Sequence, residues 1–224
     1  MSNPYDDATA KWLVGGQLAS VLLLEDAPLA AQLAEQGHEV VVLSSAPRSH
    51  YQEVGYVIAD PQSFPFVDNA FTAVVGFKDP TAVQLAAIGR ILQPGGWVAT
   101  VGEGLDESVP WLRKLRELIG GGTDPDPSTL IYGSTGMFDE AQTAQFTEWE
   151  QLGLEQLIEF ARRELGDRVN ETTMADVREL FLSYKADYQP LRLRKHLTCV
   201  RAQVLKEQVP PSDEPPDVTL LDYA

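Results

Sequence analysis

With 224 residues, 44% hydrophobic and 22% charged, the chain has the composition of an ordinary soluble globular protein. It is long enough to bury one α/β core without disulfide or metal staples. Seventeen Lys and Arg against 33 Asp and Glu leave a net charge of −16 and a pI near 4.5, which opposes docking on nucleic acid or an anionic membrane. The single cysteine, Cys199, excludes an intramolecular disulfide and any multi-cysteine metal site, and its expected role is that of a small core residue.

No segment approaches the roughly 20 apolar residues of a membrane span. The opening Met1-Ser2-Asn3-Pro4-Tyr5-Asp6-Asp7 lacks the basic-then-apolar order of an export signal, so the expected compartment is the cytoplasm. In chain order, residues 5–14 place Ala8, Trp12 and Leu13 at helical spacing before Gly15-Gly16. Residues 20–24 are a continuous apolar run of the kind found in a strand covered on both faces. Pro28 suits the first turn of a helix whose apolar positions are Leu29, Ala30, Leu33 and Ala34, with Gly37 as its stop. Residues 39–43 form a second strand, rich in β-branched Val40, Val41 and Val42.

After a polar connection, residues 56–59 predict a third strand and residues 71–75 a fourth, the latter preceded by a turn at Val67-Asp68-Asn69. A helix over 81–92 would present Val83, Leu85, Ala86, Ile88, Ile91 and Leu92 as one apolar face. Pro94-Gly95-Gly96 would then turn the chain into a strand over 97–101. Strands alternating with helices at this spacing predict an α/β fold, a parallel sheet with right-handed crossovers and helices on both faces.

The second half has a different rhythm. Residues 109–119 predict a helix with Trp111, Leu112, Leu115 and Leu118 inward, stopped by Gly120-Gly121-Gly122, and residues 123–134 read as a loop rich in Asp and Pro. A strand over 144–150, helices over 154–165 and 174–184, and an antiparallel edge strand over 191–204 follow. In that last strand Leu191 and Leu193 alternate with Arg192 and Arg194, as on a sheet with one wet face. The chain to residue 206 reads as a single domain. Residues 207–224, with four prolines, five acids and no Lys or Arg, read as an extended tail whose apolar end suits docking on the body or on a second subunit of a homodimer.

Several stretches together carry a family resemblance. They are Gln36-Gly37-His38-Glu39-Val40-Val41-Val42, Ala59-Asp60 followed by Phe64-Pro65-Phe66 and Asp68-Asn69-Ala70-Phe71, and Ile91-Leu92-Gln93-Pro94-Gly95-Gly96-Trp97. In order and approximate spacing they resemble the landmarks of class I S-adenosylmethionine-dependent methyltransferases. Asp106-Glu107-Ser108-Val109-Pro110-Trp111 and the Trp149 region resemble a small-molecule, bacterial subgroup. The match spans roughly residues 20–204. It implies a Rossmann-like three-layer sandwich, a seven-stranded mostly parallel sheet with the last strand antiparallel. The implied cofactor, S-adenosylmethionine, would lie across the ends of the first strands, and the chemistry would be methyl transfer, in which positioning of the partners contributes much of the rate.

On that resemblance the cofactor-site candidates are Glu25, Asp26, Ser44, Asp60 and Phe77. The family's turn after the first strand is rich in glycine, which lets the backbone approach the cofactor because glycine has no Cβ. Here Glu25-Asp26-Ala27-Pro28 stands there, and there is no glycine between Gly16 and Gly37. The two carboxylates also repel the cofactor's own. The family's ribose-binding acid maps onto Ser44, which cannot replace a bidentate carboxylate. Asp60 occupies the position of the acid that meets the adenine amino group, and its plainer reading is a turn acid before Pro61. Gly76-Phe77-Lys78-Asp79-Pro80 runs almost at once into a helix, where the family keeps substrate contacts.

Other chemistry is weakly signalled. His38, His50 and His196 are isolated in sequence, so no metal site is expected. Gly133-Ser134-Thr135-Gly136 only loosely resembles an anion-binding turn, and there is no nucleophile elbow or phosphate loop. Arg162-Arg163 and Arg192-Arg194-Lys195-His196 are the basic clusters, suited to pairing with the acidic tail or to solvation. Two functions follow. The favoured one is a methyltransferase-fold protein with a degenerate cofactor site, acting as a binding or self-associating module. The competitor is an active methyltransferase for a small molecule, with Asp26, Ser44 and Asp60 as remaining contacts. Catalytic residues are not identifiable from sequence.

Overall fold

The computed structural model describes residues 5–25, 29–45, 51–60, 64–120, 126–185 and 191–206. The predicted tail and its docking end, together with Asp26 and His50, lie outside the described residues.

The element order is α1 (Asp7–Val14), β1 (Ser20–Leu24), α2 (Leu29–Glu35), β2 (Glu39–Ser44), β3 (Val54–Ile58), β4 (Phe71–Gly76), α3 (Ala82–Ile91) and β5 (Leu92–Leu105). Then follow α4 (Pro110–Ile119), α5 (Leu130–Gly133), β6 (Gln142–Leu152), α6 (Leu154–Leu165), a 3₁₀ turn (Gly166–Arg168), α7 (Glu171–Tyr184) and β7 (Leu191–Gln203). The strands form one sheet in the order β3-β2-β1-β4-β5-β7-β6. Pairings from β3 through β5 are parallel, and β7 is antiparallel to both β5 and β6. The order reverses between β1 and β4, and in an α/β sheet that switch point is where ligands bind. The seven-stranded Rossmann-like sandwich is as expected, with two differences of position. β7 lies inside the sheet and β6 takes the edge, because strand order is set by crossovers that the alternation of Leu191 to Arg194 does not encode. β5 begins at Leu92 and runs to Leu105, past the last residue of β4. Pro94-Gly95-Gly96 is accommodated as an irregularity between the Phe71–Leu92 and Ala73–Trp97 pairs, with Gly95 at φ 77°.

Side chains alternate across the sheet, so each strand feeds two cores. On one face Val21, Leu23, Val40, Val42, Ala73, Val75, Ala99 and Val101 pack against α1 and α2, with the fully buried Cys199 as expected. Farther along the same face Leu105, Leu191, Leu193 and Leu152 carry a second cluster that receives Trp111, Leu112 and Leu115 of α4, Leu157, Ile158 and Ala161 of α6, and Val177 and Phe181 of α7. The opposite face holds Leu22, Val74, Val98, Val200 and Ala202 under Leu85, Ile88 and Ile91 of α3.

α3 is fixed at its start by a capping box, in which Gln84 N–H donates to Thr81 Oγ1 and Thr81 N–H to Gln84 Oε1. Its buried face is Leu85, Ile88, Gly89 and Ile91, and the expected inward Val83 and Ala86 are exposed, Val83 by 66%. Apolar residues surround most of this helix, so periodicity alone selects the wrong stripe. α5 lies where a loop is expected, and it plants the fully buried Tyr132 in the second face, where its hydroxyl shares a 2.5 Å hydrogen bond with Thr100 Oγ1. Burial raises the Tyr132 phenol well above its ordinary pKa, so it stays a neutral structural group.

Candidate functional site

β1 stays paired with β2 through its last residue, and Glu25 N–H still donates to Leu43 O at 2.9 Å. Glu25 then turns with φ 79°, a left-handed conformation that costs a side-chain-bearing residue about 1–2 kcal/mol and that glycine adopts freely. Its side chain is exposed. The neighbouring Leu24 reaches over β4, its Cδ1 lying 3.5 Å from the point a Cβ on Gly76 would occupy. Ser44 closes β2 and is buried, with its carbonyl accepting from Ala59 N–H at 3.1 Å. Asp60 follows β3 and is exposed. Phe77 follows β4 and packs half-buried against the α1–α2 core. Glu25, Ser44, Asp60 and Phe77 therefore stand at the ends of four neighbouring strands around the switch point.

A second set of polar groups, not legible in the sequence, lies where β5, β7 and β6 rise past β4. On the α1 face, between the two apolar clusters, the buried Tyr5 hydroxyl bonds Glu103 Oε1. Lys195 Nζ sits 3.7 Å from Glu103 and 3.2 Å from Glu150. Gln32 of α2 pins the Tyr5 backbone from both sides, accepting from its N–H at 3.3 Å and donating to its carbonyl at 2.9 Å. Glu148 accepts from Asp6 N–H and Thr9 Oγ1, each at 2.9 Å. Burial, then the Glu103 carboxylate, push the Tyr5 phenol far above its ordinary pKa, so it serves as a proton donor to Glu103 and not as a base. Cys199 lies in the core below these groups, its thiol pushed up to about 12 by burial, and is unsuited to act as a nucleophile.

On the opposite face Asp106, its side chain 5% exposed, lies at the foot of α4. Its Oδ1 accepts from Ser108 N–H at 2.9 Å. Its Oδ2 is 2.6 Å from Arg194 Nη1 and 3.4 Å from His196 Nε2, contacts of charge that lack hydrogen-bond geometry. Hydrogen bonding from Ser108, working against burial and joined by Arg194 and His196, holds the Asp106 carboxyl below the usual range. Arg194 lies over the Trp149 ring at 5.3 Å. Arg194, Lys195 and His196 of the cluster expected above to pair with the acidic tail or with solvent lie beside Asp106, Glu103 and Glu150 of the folded body, and the tail is outside the described residues. At Gly133-Ser134-Thr135-Gly136 the two hydroxyls donate to the Ile131 and Tyr132 carbonyls, which ties them into the end of α5.

Among the described residues no three His, Cys, Asp or Glu come together as a metal ion would need, and no helix is long and apolar enough to cross a membrane.

The strand order with its inner antiparallel β7 is that of the class I S-adenosylmethionine-dependent methyltransferase fold. Solved structures agree. The chain is similar to a proposed type II methyltransferase from Anaeromyxobacter dehalogenans (TM-score 0.55, 16% identity, 93% of this chain and 100% of that one). It is also similar to a methyltransferase assigned to an antibiotic biosynthesis pathway in Anabaena variabilis (TM-score 0.52, 13% identity, 88% and 98%). In sequence it is 28% identical over 134 residues to uncharacterised methyltransferases of Mycobacterium tuberculosis and Mycobacterium bovis. That match spans 54% of this chain and about half the length, 55%, of each relative. No family profile matches the chain. The resemblance in sequence is thus joined by the fold, and S-adenosylmethionine is the cofactor that this fold class implies.

Proposed function

We propose that the chain is a methyltransferase-fold protein with a degenerate S-adenosylmethionine site, working as a non-catalytic binding or self-associating module. The observation that carries this reading is Glu25, a carboxylate-bearing residue at φ 79° in the turn after β1, where a cradle needs backbone bare of Cβ. The groups at the other strand ends support it. The buried Ser44 hydroxyl offers no carboxylate to a ribose diol, and the Leu24 side chain lies over Gly76. These residues do not fit the cofactor in the manner of its class, so no step of methyl transfer is derived from them.

Self-association is supported by β6, an edge strand of 11 residues whose register with β7 is unbroken and whose other side pairs with no strand among the described residues. The competing reading, an active methyltransferase for a small molecule, is favoured by the name that the mycobacterial relatives carry. Calorimetric titration with S-adenosylmethionine separates the two. No heat at millimolar ligand is expected, and a micromolar dissociation constant would establish the competitor.

A further inference from the structure

Where β7 and β6 rise past β4, no helix among the described residues covers the face opposite α4, α6 and α7. Arg192 and His196 of β7 and Gln145, Thr147, Trp149 and Gln151 of β6 are all exposed on it. In a chain of net charge −16 this face carries two arginines and a histidine, Arg192-x-Arg194-x-His196, beside a Trp exposed by 57%. Three strands align these groups in two rungs. Gly104, His196 and Thr147 are neighbours in one, and Arg194 pairs with Trp149 in the next, where Arg194 O also accepts from Asp106 N–H at 3.0 Å.

Gly104 makes this face more than a solvated surface. Its φ is not in the left-handed range, and a Cβ built on it meets nothing within 4 Å among the described residues, so neither backbone strain nor packing against them accounts for the glycine. The nearby Gly102 is different, because a Cβ there would come within 2.6 Å of Pro127. Gly104 leaves a flat, open floor directly beside His196. Beside it the buried Asp106 carboxylate lies 2.6 Å from Arg194 Nη1 and 3.4 Å from His196 Nε2, and Arg194 Nε is buried without a hydrogen-bond partner among the described residues. Asp106 is therefore a positioning group. It fixes Arg194 and His196, whose side chains are 33% and 53% exposed.

We propose that Gly104, Trp149, Arg194 and His196 form a binding site for a small aromatic carboxylate. The Arg194 guanidinium supplies a charged donor to a carboxylate oxygen, and Trp149 offers a face on which the ring stacks over the Gly104 floor. The site stands apart from the ends of β1 and β2 and does not depend on whether S-adenosylmethionine binds.

The test is titration of the ¹⁵N-labelled full chain with benzoate, followed by amide and indole chemical shifts. Saturable shifts centred on Gly104, the Trp149 indole and His196 are expected. Gly104→Val adds bulk to a floor where a Cβ meets nothing within 4 Å among the described residues, and should weaken benzoate about tenfold or more. Trp149→Ala should do the same, and acetate should bind about tenfold more weakly because it lacks the ring. Unchanged shifts away from the site in Gly104→Val report that the fold is intact. Shifts centred elsewhere, or benzoate binding unchanged in Gly104→Val, would overturn the site. Acetate or inorganic phosphate binding as tightly as benzoate would overturn the aromatic carboxylate as its ligand.

Discussion

The ends of β1 to β4 and the projecting β5–β7–β6 segment are parts of one sheet that hold their polar groups in opposite ways. At the first, Glu25 and Asp60 stand exposed, Ser44 is buried, and Glu25 takes a left-handed turn. At the second, Tyr5, Glu103, Lys195 and Glu150 lie on one face and Asp106, Arg194 and His196 on the other, joined by ion pairs and hydrogen bonds across strands. The fold survives the first arrangement because the sheet beneath depends on Leu22, Leu23, Val42 and Val75 and not on the residues at its rim. The ion pairs described above lie where strands are long and antiparallel, away from the switch point between β1 and β4.

Three substitutions break or sharpen that contrast. The largest effect is expected at Leu193, fully buried where β7 meets α4, α6 and α7. Leu193→Ala should cost about 2–5 kcal/mol in urea unfolding. Amide exchange should quicken most in α4, α6 and α7, and uniform quickening across β1 to β4 would show that the two regions unfold as one.

Next is Asp106→Asn, which leaves Arg194 without its counter-charge. Because Arg194 is about one third exposed, solvent screening limits the loss to about 1–3 kcal/mol at neutral pH. The pH dependence has a definite sign. The Asp106 carboxyl is held below its unfolded value, so its contribution is complete above the ordinary carboxylate pKa of about 3.9 and is lost as pH falls through the folded value. Urea midpoints of wild type and Asp106→Asn should therefore differ at pH 6, with the gap narrowing as pH falls below the ordinary carboxylate pKa of about 3.9. A constant gap across that range would contradict the role given to the carboxylate.

The smallest effect, of opposite sign, is expected for Glu25→Gly, a gain of about 0.5–1 kcal/mol from relief of the left-handed turn, partly offset by the freedom glycine adds to the unfolded chain. A thermal midpoint lower than that of the wild type would show that Glu25 is held by interactions stronger than its backbone strain.

The parallel half of the fold was legible because Val40-Val41-Val42 and Phe71-Thr72-Ala73-Val74-Val75 are dense in strand formers and are separated by glycine or turn residues. The inward stripe of α3 was not, because Val83 and Ala86 are as apolar as the residues that the sheet selects. The interior position of β7 was not either, since its alternation is equally that of an edge strand. The strand-end residues could be located by motif order, and Glu25, Ser44, Asp60 and Phe77 do fall at the rim. Asp106 and His196 are far apart in sequence and meet only through the antiparallel register of β5 and β7. The available signal was a buried-type acid before Pro110 and alternating cations in Arg192 to His196, which predict paired groups without saying with whom.

Calorimetric titration of S-adenosylmethionine into the wild-type chain and into Glu25→Gly/Ser44→Asp tests most directly whether the residues at the strand ends, and not the fold, withhold the cofactor. The expected result is no heat from the wild type at millimolar ligand and measurable binding by the double variant, whose turn after β1 has a glycine and whose β2 ends in a carboxylate. A wild-type dissociation constant in the micromolar range, left unchanged by the two substitutions, would contradict it.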